Sequence, residues 1–348
     1  MKFLGLNSIS SLPRVKLAMA PTPIEQLYNL SKILNGPRIF VKRDDLTGLA
    51  LGGNKVRQLE FYMGEAQSHG ADTILTTGAV QSNFVRTTAA AAAKLGMDCH
   101  LQLEERVKNV DETHKNSGNV LLNRLMGAKL HSFHTGEDES GADMGLEIIA
   151  EKLRLKGKHP YIISLSPGHS ALGALGYIVC AQEIVEQLKK SKVKIDEIFC
   201  GSGSAATHAG LIFGLRALQS NISVTGVCVR RNAGKQFNRV FDKCNEIADL
   251  LDIKSPVVKE DILTIDTTFQ PGYGCLNDKT IEALKLSASL EGLILDPVYT
   301  GKVMAGLIDC IRLEKFQNNQ NILFLHTGGQ PSLFAYEPEL RLNYSLVK

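Results

Sequence analysis

The chain has 348 residues, 44% of them hydrophobic and 22% charged, and a formal net charge of +3. This is ordinary composition for a soluble globular protein of two domains or one large one, and too weakly basic to imply a nucleic-acid partner. No apolar run reaches the roughly 18–20 residues of a membrane span, and Met1–Ser10, with one lysine and a short apolar run, does not read as a secretory leader.

In chain order, apolar β-rich runs alternate with helix-like stretches. Strands are expected at Arg38–Arg43, Thr73–Thr77, Cys99–Leu103, Lys129–Phe133, Tyr161–Leu165, Glu197–Cys200, Ile222–Val229 and Ile322–His326. Helices are expected at Lys55–His69, Ser82–Leu95, Gly118–Met126, Gly145–Leu155, Leu172–Leu188, Thr207–Leu218, Lys279–Glu291 and Gly301–Glu314. The alternation predicts an α/β protein with parallel sheets covered on both faces. In such sheets ligands sit beyond the carboxyl ends of the strands, so the segments that follow the strands carry the information.

After the first strand come Gly52-Gly53-Asn54-Lys55. The glycines allow a tight turn, and Lys55 stands where a helix begins. The positive end of the helix dipole disfavours its ammonium form. A neutral amine is what carbonyl chemistry needs. The plainer alternative is a surface lysine after a loop. A nucleotide P-loop is excluded, because Asn54 intervenes and Val56 follows.

After the second strand come Gln81-Ser82-Asn83, amide and hydroxyl groups at a helix N-terminus, suited either to a carboxylate or to a simple N-cap at Ser82. After Cys200 come Gly201-Ser202-Gly203-Ser204-Ala205-Ala206-Thr207, a small-residue loop opening a helix, whose amides can face a phosphate with hydroxyl help from Ser204 and Thr207. The dinucleotide fingerprint is not met, since Ala206 takes the third glycine's place. Two tyrosines, Tyr273 and Tyr299, stand in glycine-containing loops, as proton carriers, ring covers or ordinary packing. His326, before Thr327-Gly328-Gly329, reads as structural.

The seven cysteines are scattered and never in CxxC spacing, and the nine histidines form no HExxH or Cys/His cluster. Free thiols in a cytoplasmic protein are expected, with no disulfide framework and no metal. Taken together, an amine nucleophile, an anion cradle, a carboxylate site and tyrosines match a phosphate-bearing aldehyde cofactor and an amino-acid substrate.

The strings Lys42-Arg43-Asp44-Asp45, Gly52-Gly53-Asn54-Lys55, Gln81-Ser82-Asn83 and Asp296-Pro297-Val298-Tyr299, with Pro271-Gly272-Tyr273-Gly274 and His326-Thr327-Gly328-Gly329, resemble the family of pyridoxal 5′-phosphate (PLP) enzymes that holds 1-aminocyclopropane-1-carboxylate (ACC) deaminases and D-cysteine desulfhydrases. The resemblance runs from Pro21 to Tyr336. It implies PLP fold type II, similar to the tryptophan synthase β chain: two open parallel α/β domains with the cofactor between them. A small domain of residues 58–167 would be inserted into a large one of 1–57 and 168–348, in a homodimer.

By the same resemblance Lys55 matches the Schiff-base lysine, with Asn54 beside it among the cofactor contacts, and Asn83 the contact of the pyridine 3′-oxygen. Ser202, Gly203, Ser204, Ala205, Ala206 and Thr207 match the phosphate cup, and Thr327 the neighbour of the pyridine nitrogen. Ser82, Asn83, Phe84, Tyr299 and Thr300 are the implied substrate contacts. Lys55, Ser82, Tyr273 and Tyr299 are the implied catalytic set, with the base left between Lys55 and Ser82. Thr300 and Thr327 are of the desulfhydrase type. Phe84 departs from the family, where His or Gln is usual. The implied reaction is α,β-elimination on D-cysteine to pyruvate, hydrogen sulfide and ammonia. ACC deaminase, L-cysteate sulfo-lyase and a non-catalytic small-molecule sensor stand as alternatives.

Overall fold

The computed structural model describes residues 6–341; the outer domain limits at 1 and 348, and the first five residues of Met1–Ser10, lie outside them. Ten strands form two sheets: β1 (Ile24–Gln26), β2 (Arg38–Lys42), β3 (Thr73–Ala79), β4 (Asp98–Glu104), β5 (Lys129–Phe133), β6 (Pro160–Ile163), β7 (Glu197–Ser202), β8 (Ser223–Cys228), β9 (Leu263–Ile265) and β10 (Asn321–Leu325). One sheet has the order β1-β2-β10-β7-β8-β9, the other β5-β4-β3-β6. Every pairing is parallel except β1 with β2.

The expected parallel α/β architecture is therefore present, and all eight expected strands and eight expected helices exist. Two strands and four α-helices were not foreseen. β1 and β9 have three residues each, too few to display an alternation. Helices Tyr28–Leu34, Glu112–Asn116 and Glu337–Arg341 are short. Helix Ala233–Leu250 is long and was legible: Phe237, Val240, Phe241, Cys244, Ile247 and Ala248 follow helical spacing, and Asn232 caps it by accepting from the Lys235 amide. The helix expected from Gly145 begins at Glu139, because Asp138 caps it through the Gly141 amide at 2.8 Å.

Three helices set the site's geometry. Helix Leu172–Ser191 is buried along most of its length and packs on Asn54–Ser68 and Ala206–Ala217. The approach is too close for side chains at two points. A Cβ on Gly176 would meet the Arg57 carbonyl oxygen at 2.3 Å, and one on Gly210 the Ala174 oxygen at 2.3 Å. Close packing of this kind leaves little room for the helices to shift. The N-terminal ends of two of them, carrying Lys55 and Thr207, are thereby held side by side.

A buried charge network fastens the same region. Arg57 donates to both oxygens of Asp44 at 2.9 Å and to Glu183 at 2.9 and 3.1 Å. Tyr177 and Thr22 hydroxyls donate to Asp44, each at 2.7 Å. The Lys42 ammonium pairs with Glu183 and donates to the Thr22 carbonyl at 2.7 Å. Burial alone would raise the carboxyl pKa of Asp44, but Arg57 and Lys42 outweigh it and hold it below its ordinary 3.8; the same balance holds Glu183 below 4.5.

Arg57→Met removes the central cation, leaving Asp44 without its guanidinium partner and Glu183 with Lys42 alone, at a cost of about 3–5 kcal/mol in chemical denaturation. In the wild type the depressed carboxyls contribute stability that is in place above about pH 4.5 and is lost as the pH falls through their lowered folded values, so Arg57→Met should lose much of this acid sensitivity. A variant with unchanged stability at pH 7 would show that the network does not anchor the fold.

Candidate active site

The loop between β2 and helix Asn54–Ser68 is specified residue by residue. Gly52 has φ +65° and ψ −161°, and a Cβ there would stand 2.0 Å from the Asp45 carbonyl oxygen, so only glycine fits. The Gly53 amide donates to Thr47 Oγ1 at 2.8 Å and to the Asp44 carbonyl at 3.1 Å. Arg86, fully buried, donates to the carbonyls of Ala50 and Gly52.

Lys55 leaves this loop as the second residue of the helix. Its amine lies 3.3 Å from Gln58 Oε1 and 5.7 Å from the centre of the Phe84 ring. Desolvation lowers its pKa to about 8. The expected direction of shift is met, and burial rather than the helix dipole is its leading cause. At pH 8 about half of the amine is neutral.

Opposite stands the loop after β7. Helix Ala206–Ala217 has no side-chain cap, and Ala205 before it is left-handed, at φ +76° and ψ −20°. The first amides of this helix are thus left for an anion. Thr207 Oγ1 accepts from Asn54 and from Gln58, each at 2.9 Å, which ties the loop to the Lys55 helix. Gly203, Ser204, Ala205 and Thr207 line a space of about 410 Å³ together with Gly201, Asn54, Lys55, Asn83, Tyr299 and Thr327. Ala206 is nearly buried beneath the loop. Ser202 does not present its hydroxyl there: it is fully buried, bonded to His208 at 3.1 Å and to Gln236 at 2.9 Å.

At the third corner Ser82 caps helix Asn83–Lys94 by accepting from the Val85 amide at 3.3 Å, and it also lines the cleft. Cap and cleft positions coincide here. Asn119 donates to Asn83 Oδ1 and to the Gln81 carbonyl, both at 2.9 Å, while its own amide donates to Gln81 Oε1 at 2.9 Å. With Oδ1 so occupied, the amide of Asn83 is left as the donor toward the cleft. Phe84, 3% exposed, packs edge-on against Tyr62 and walls the amine.

Tyr273 and Tyr299 bring their hydroxyls to 3.5 Å in a T-shaped ring pair. Burial and the neighbouring tyrosine push Tyr273 well above 10, so it holds its proton. The Arg106 guanidinium lies 5.8 Å from the Tyr273 ring centre and pairs with Glu104 at 2.7 Å. Buried Asp296 shapes the Tyr299 loop by accepting from the amides of Val298, Tyr299 and Thr300 at 2.7–3.0 Å.

Thr300 is a correction to the expected substrate contacts. It is fully buried, and its hydroxyl is spent on Asp296 at 2.7 Å. His326 is structural, as expected: its Nε2 meets the Ile294 carbonyl at 3.0 Å and its Nδ1 accepts from the Gly328 amide at 3.2 Å. The remaining walls of the cleft, about 700 Å³ in all, include Glu104, Arg106, Glu139, Asp143, Arg230 and Arg239, which the sequence reading passed over. A signal existed in the charged residues directly after β4 and β8, the positions where α/β sheets carry ligands.

The donor set fits a phosphate-bearing aldehyde. An amine that is half neutral near pH 8 faces an uncapped helix N-terminus across a shared space. The profile of the pyridoxal-phosphate dependent enzyme family matches residues 15–328. A curated D-cysteine desulfhydrase of Salmonella choleraesuis (strain SC-B67) is 45% identical over 96% of this chain and 99% of its own, and one of Salmonella typhi is 44% identical over the same shares. Among solved structures, an ACC deaminase homologue superposes with a TM-score of 0.86 at 36% identity, over 99% of this chain and all of its own. A fungal L-serine ammonia-lyase from Rhizomucor miehei superposes with a TM-score of 0.63 at 18% identity, over 94% of this chain and 99% of its own, a likeness of fold. The expected fold type II architecture and the PLP cofactor are thereby established, and the chain belongs to the pyridoxal-phosphate dependent enzyme family.

Proposed function

We propose that the enzyme carries out α,β-elimination on D-cysteine, yielding pyruvate, hydrogen sulfide and ammonia. The relatives named D-cysteine desulfhydrase span nearly all of both chains, which supports the substrate. The observation that carries the chemistry is the meeting of the Lys55 amine, the uncapped loop after β7 and the paired tyrosine hydroxyls in one cleft.

Pyridoxal phosphate, when bound, supplies the electron sink that stabilises negative charge at the substrate Cα. Lys55 is its covalent anchor. Gly203, Ser204, Ala205 and Thr207 hold its phosphate, and Asn54 steadies that loop through Thr207. Asn83 would donate to the cofactor's ring oxygen, and Thr327, which lines the same space, would offer the ring a neutral hydroxyl. Ser82 and Asn83 bind the substrate carboxylate at the N-terminus of their helix. With its pKa lowered to about 8 by burial, the Lys55 amine is better suited than a lone serine hydroxyl to take the Cα proton, which supports Lys55 over Ser82 as the base. Tyr299, backed by Tyr273, donates the proton with which the thiol sulfur leaves as hydrogen sulfide. Phe84 excludes water from the amine and favours a small substrate without a second anionic group.

Cysteate chemistry would call for added donors where Phe84 stands, while ACC would be told from D-cysteine by its product, 2-oxobutyrate. The wider organisation is part of the same proposal: a small domain of residues 58–167, supported by β3–β6 forming their own sheet, a cytoplasmic location, with which free cysteines are in keeping, and a homodimer. Among the described residues no helix is long and apolar enough to cross a membrane. Light scattering measures the dimer directly.

The deciding assay supplies D-cysteine, L-cysteine and ACC separately and follows sulfide, pyruvate and 2-oxobutyrate. Sulfide and pyruvate from D-cysteine alone are expected; 2-oxobutyrate from ACC would transfer the enzyme to the other branch. Lys55→Ala should lose both turnover and the visible absorbance of bound cofactor. Tyr299→Phe should lower kcat about 100-fold or more, the usual worth of a positioned proton donor; full retention would remove Tyr299 from proton transfer. Because only the neutral amine attacks an aldehyde, PLP uptake by the apo-protein should accelerate as pH rises through about 8. Phe84→Ser, which admits water to Lys55, should move that midpoint upward toward 10.5. An unmoved midpoint would show that the phenyl ring does not set the amine's solvation.

A further inference from the structure

Lys302 stands two residues into the helix Thr300–Arg312, whose N-cap is Tyr299. It is fully buried. Among the described residues no carboxylate comes within ion-pair distance of it. Its ammonium instead donates to two carbonyls of one loop, Gly272 at 2.7 Å and Phe269 at 3.0 Å. A buried ammonium is costly unless oxygen acceptors replace its water, and here both of the protein acceptors come from the segment that carries Tyr273. Burial lowers its pKa to about 8, with the neighbouring Cys275 thiol acting the other way.

The acceptors are not arbitrary points on that loop. Gly272 immediately precedes Tyr273, and Gly274 immediately follows it. The Gly274 carbonyl accepts from the buried Tyr336 hydroxyl at 2.8 Å. Tyr273 is therefore held on both sides by long buried donors from elsewhere in the chain. Asn277 adds bonds to the carbonyls of Thr268 and Gln270, at 3.1 and 2.6 Å, and the Thr268 hydroxyl donates back to the Lys302 carbonyl at 3.0 Å. One short helical end thus carries Tyr299 at its cap and grips the Tyr273 loop with Lys302.

We propose that Lys302 is a positioning residue, which sets the Tyr273 hydroxyl against that of Tyr299 by holding the carbonyl just before Tyr273. The proposal rests on the reading of the two tyrosines as the proton-transfer pair. Their hydroxyls stand at 3.5 Å in the cleft, and a displacement of about 1 Å in such a pair is enough to lower turnover about 100-fold. The lysine does not line the cleft: it acts only through the loop.

The test uses holoenzyme labelled with 3-fluorotyrosine, with the Tyr273 fluorine signal assigned by its loss in Tyr273→Phe. Lys302→Met keeps the volume and removes the donor. Lys302→Gln keeps one donating group. In Lys302→Met the Tyr273 signal should move while that of exposed Tyr28 stays, kcat should fall about 100-fold, and KM should stay within about threefold because substrate binding is untouched. Lys302→Gln should recover part of both the signal and kcat, and it is scored alone by the same shift if the Met variant does not fold. A Tyr273 signal that stays in place in a folded variant overturns the proposal. A signal that moves while kcat holds upholds the clamp and removes Tyr273 from the reaction, so the two failures are distinguishable.

Discussion

The buried ion network around Arg57 is the constraint on which the rest depends. Arg57 sits two residues after Lys55 on the same helix, and its guanidinium bridges Asp44 on the preceding loop and Glu183 on helix Leu172–Ser191. The network therefore spans the loop that enters the site, the helix that carries the amine and the helix that supports both. Charges buried this completely are tolerated only when each is paired, and here every carboxylate oxygen of Asp44 and Glu183 has a donor. Displacing the loop would break several of these pairs at once. The Lys42-Arg43-Asp44-Asp45 string thus marks the anchor of the site rather than its chemistry.

With the frame held, the cleft can keep a lysine half neutral. Its ammonium is discharged by burial beside an aromatic wall and an amide, and among the described residues no carboxylate pairs with it. Other charged residues that line the cleft are instead paired with one another. Glu139, from the helix that follows β5, is shared by Arg230, Arg231 and Arg239 from the segment after β8, at 2.7–3.1 Å. These pairs join elements of the two sheets across the cleft. The charged walls of the cleft are thereby paired with one another, and the two sides stay linked by them.

Loop geometry does the finer work. The tyrosine loops have no regular structure to hold them, so they borrow it: Asp296 acts as a backbone template for residues 298–300, and Lys302, Tyr336 and Asn277 supply donors to the loop of Tyr273. The Asn83 amide is oriented in the same way by Asn119, a residue 36 positions away. In each case a buried polar side chain satisfies loop backbone or amide groups, and the cost of leaving it unpaired makes one loop conformation the stable one.

What the sequence by itself determined was local. The period of apolar residues settles strand and helix, so the eight strands and eight helices expected from it exist, and even the overlooked helix Ala233–Leu250 was written in its spacing. Gly52-Gly53 before Lys55, and small residues between Cys200 and Thr207, announce backbone that must turn tightly beside a ligand, because that requirement falls on the residues concerned. Only the tertiary structure could decide what depends on distant partners. Ser202 and Thr300 have the right chemistry and the right neighbours in sequence, yet His208, Gln236 and Asp296 take their hydroxyls into the interior. Lys55 owes its lowered pKa mainly to burial, and Lys302 owes its place to carbonyls 30 and 33 residues away. Desolvation and hydrogen-bond satisfaction are properties of a packed neighbourhood, and a neighbourhood is assembled only when the chain has folded.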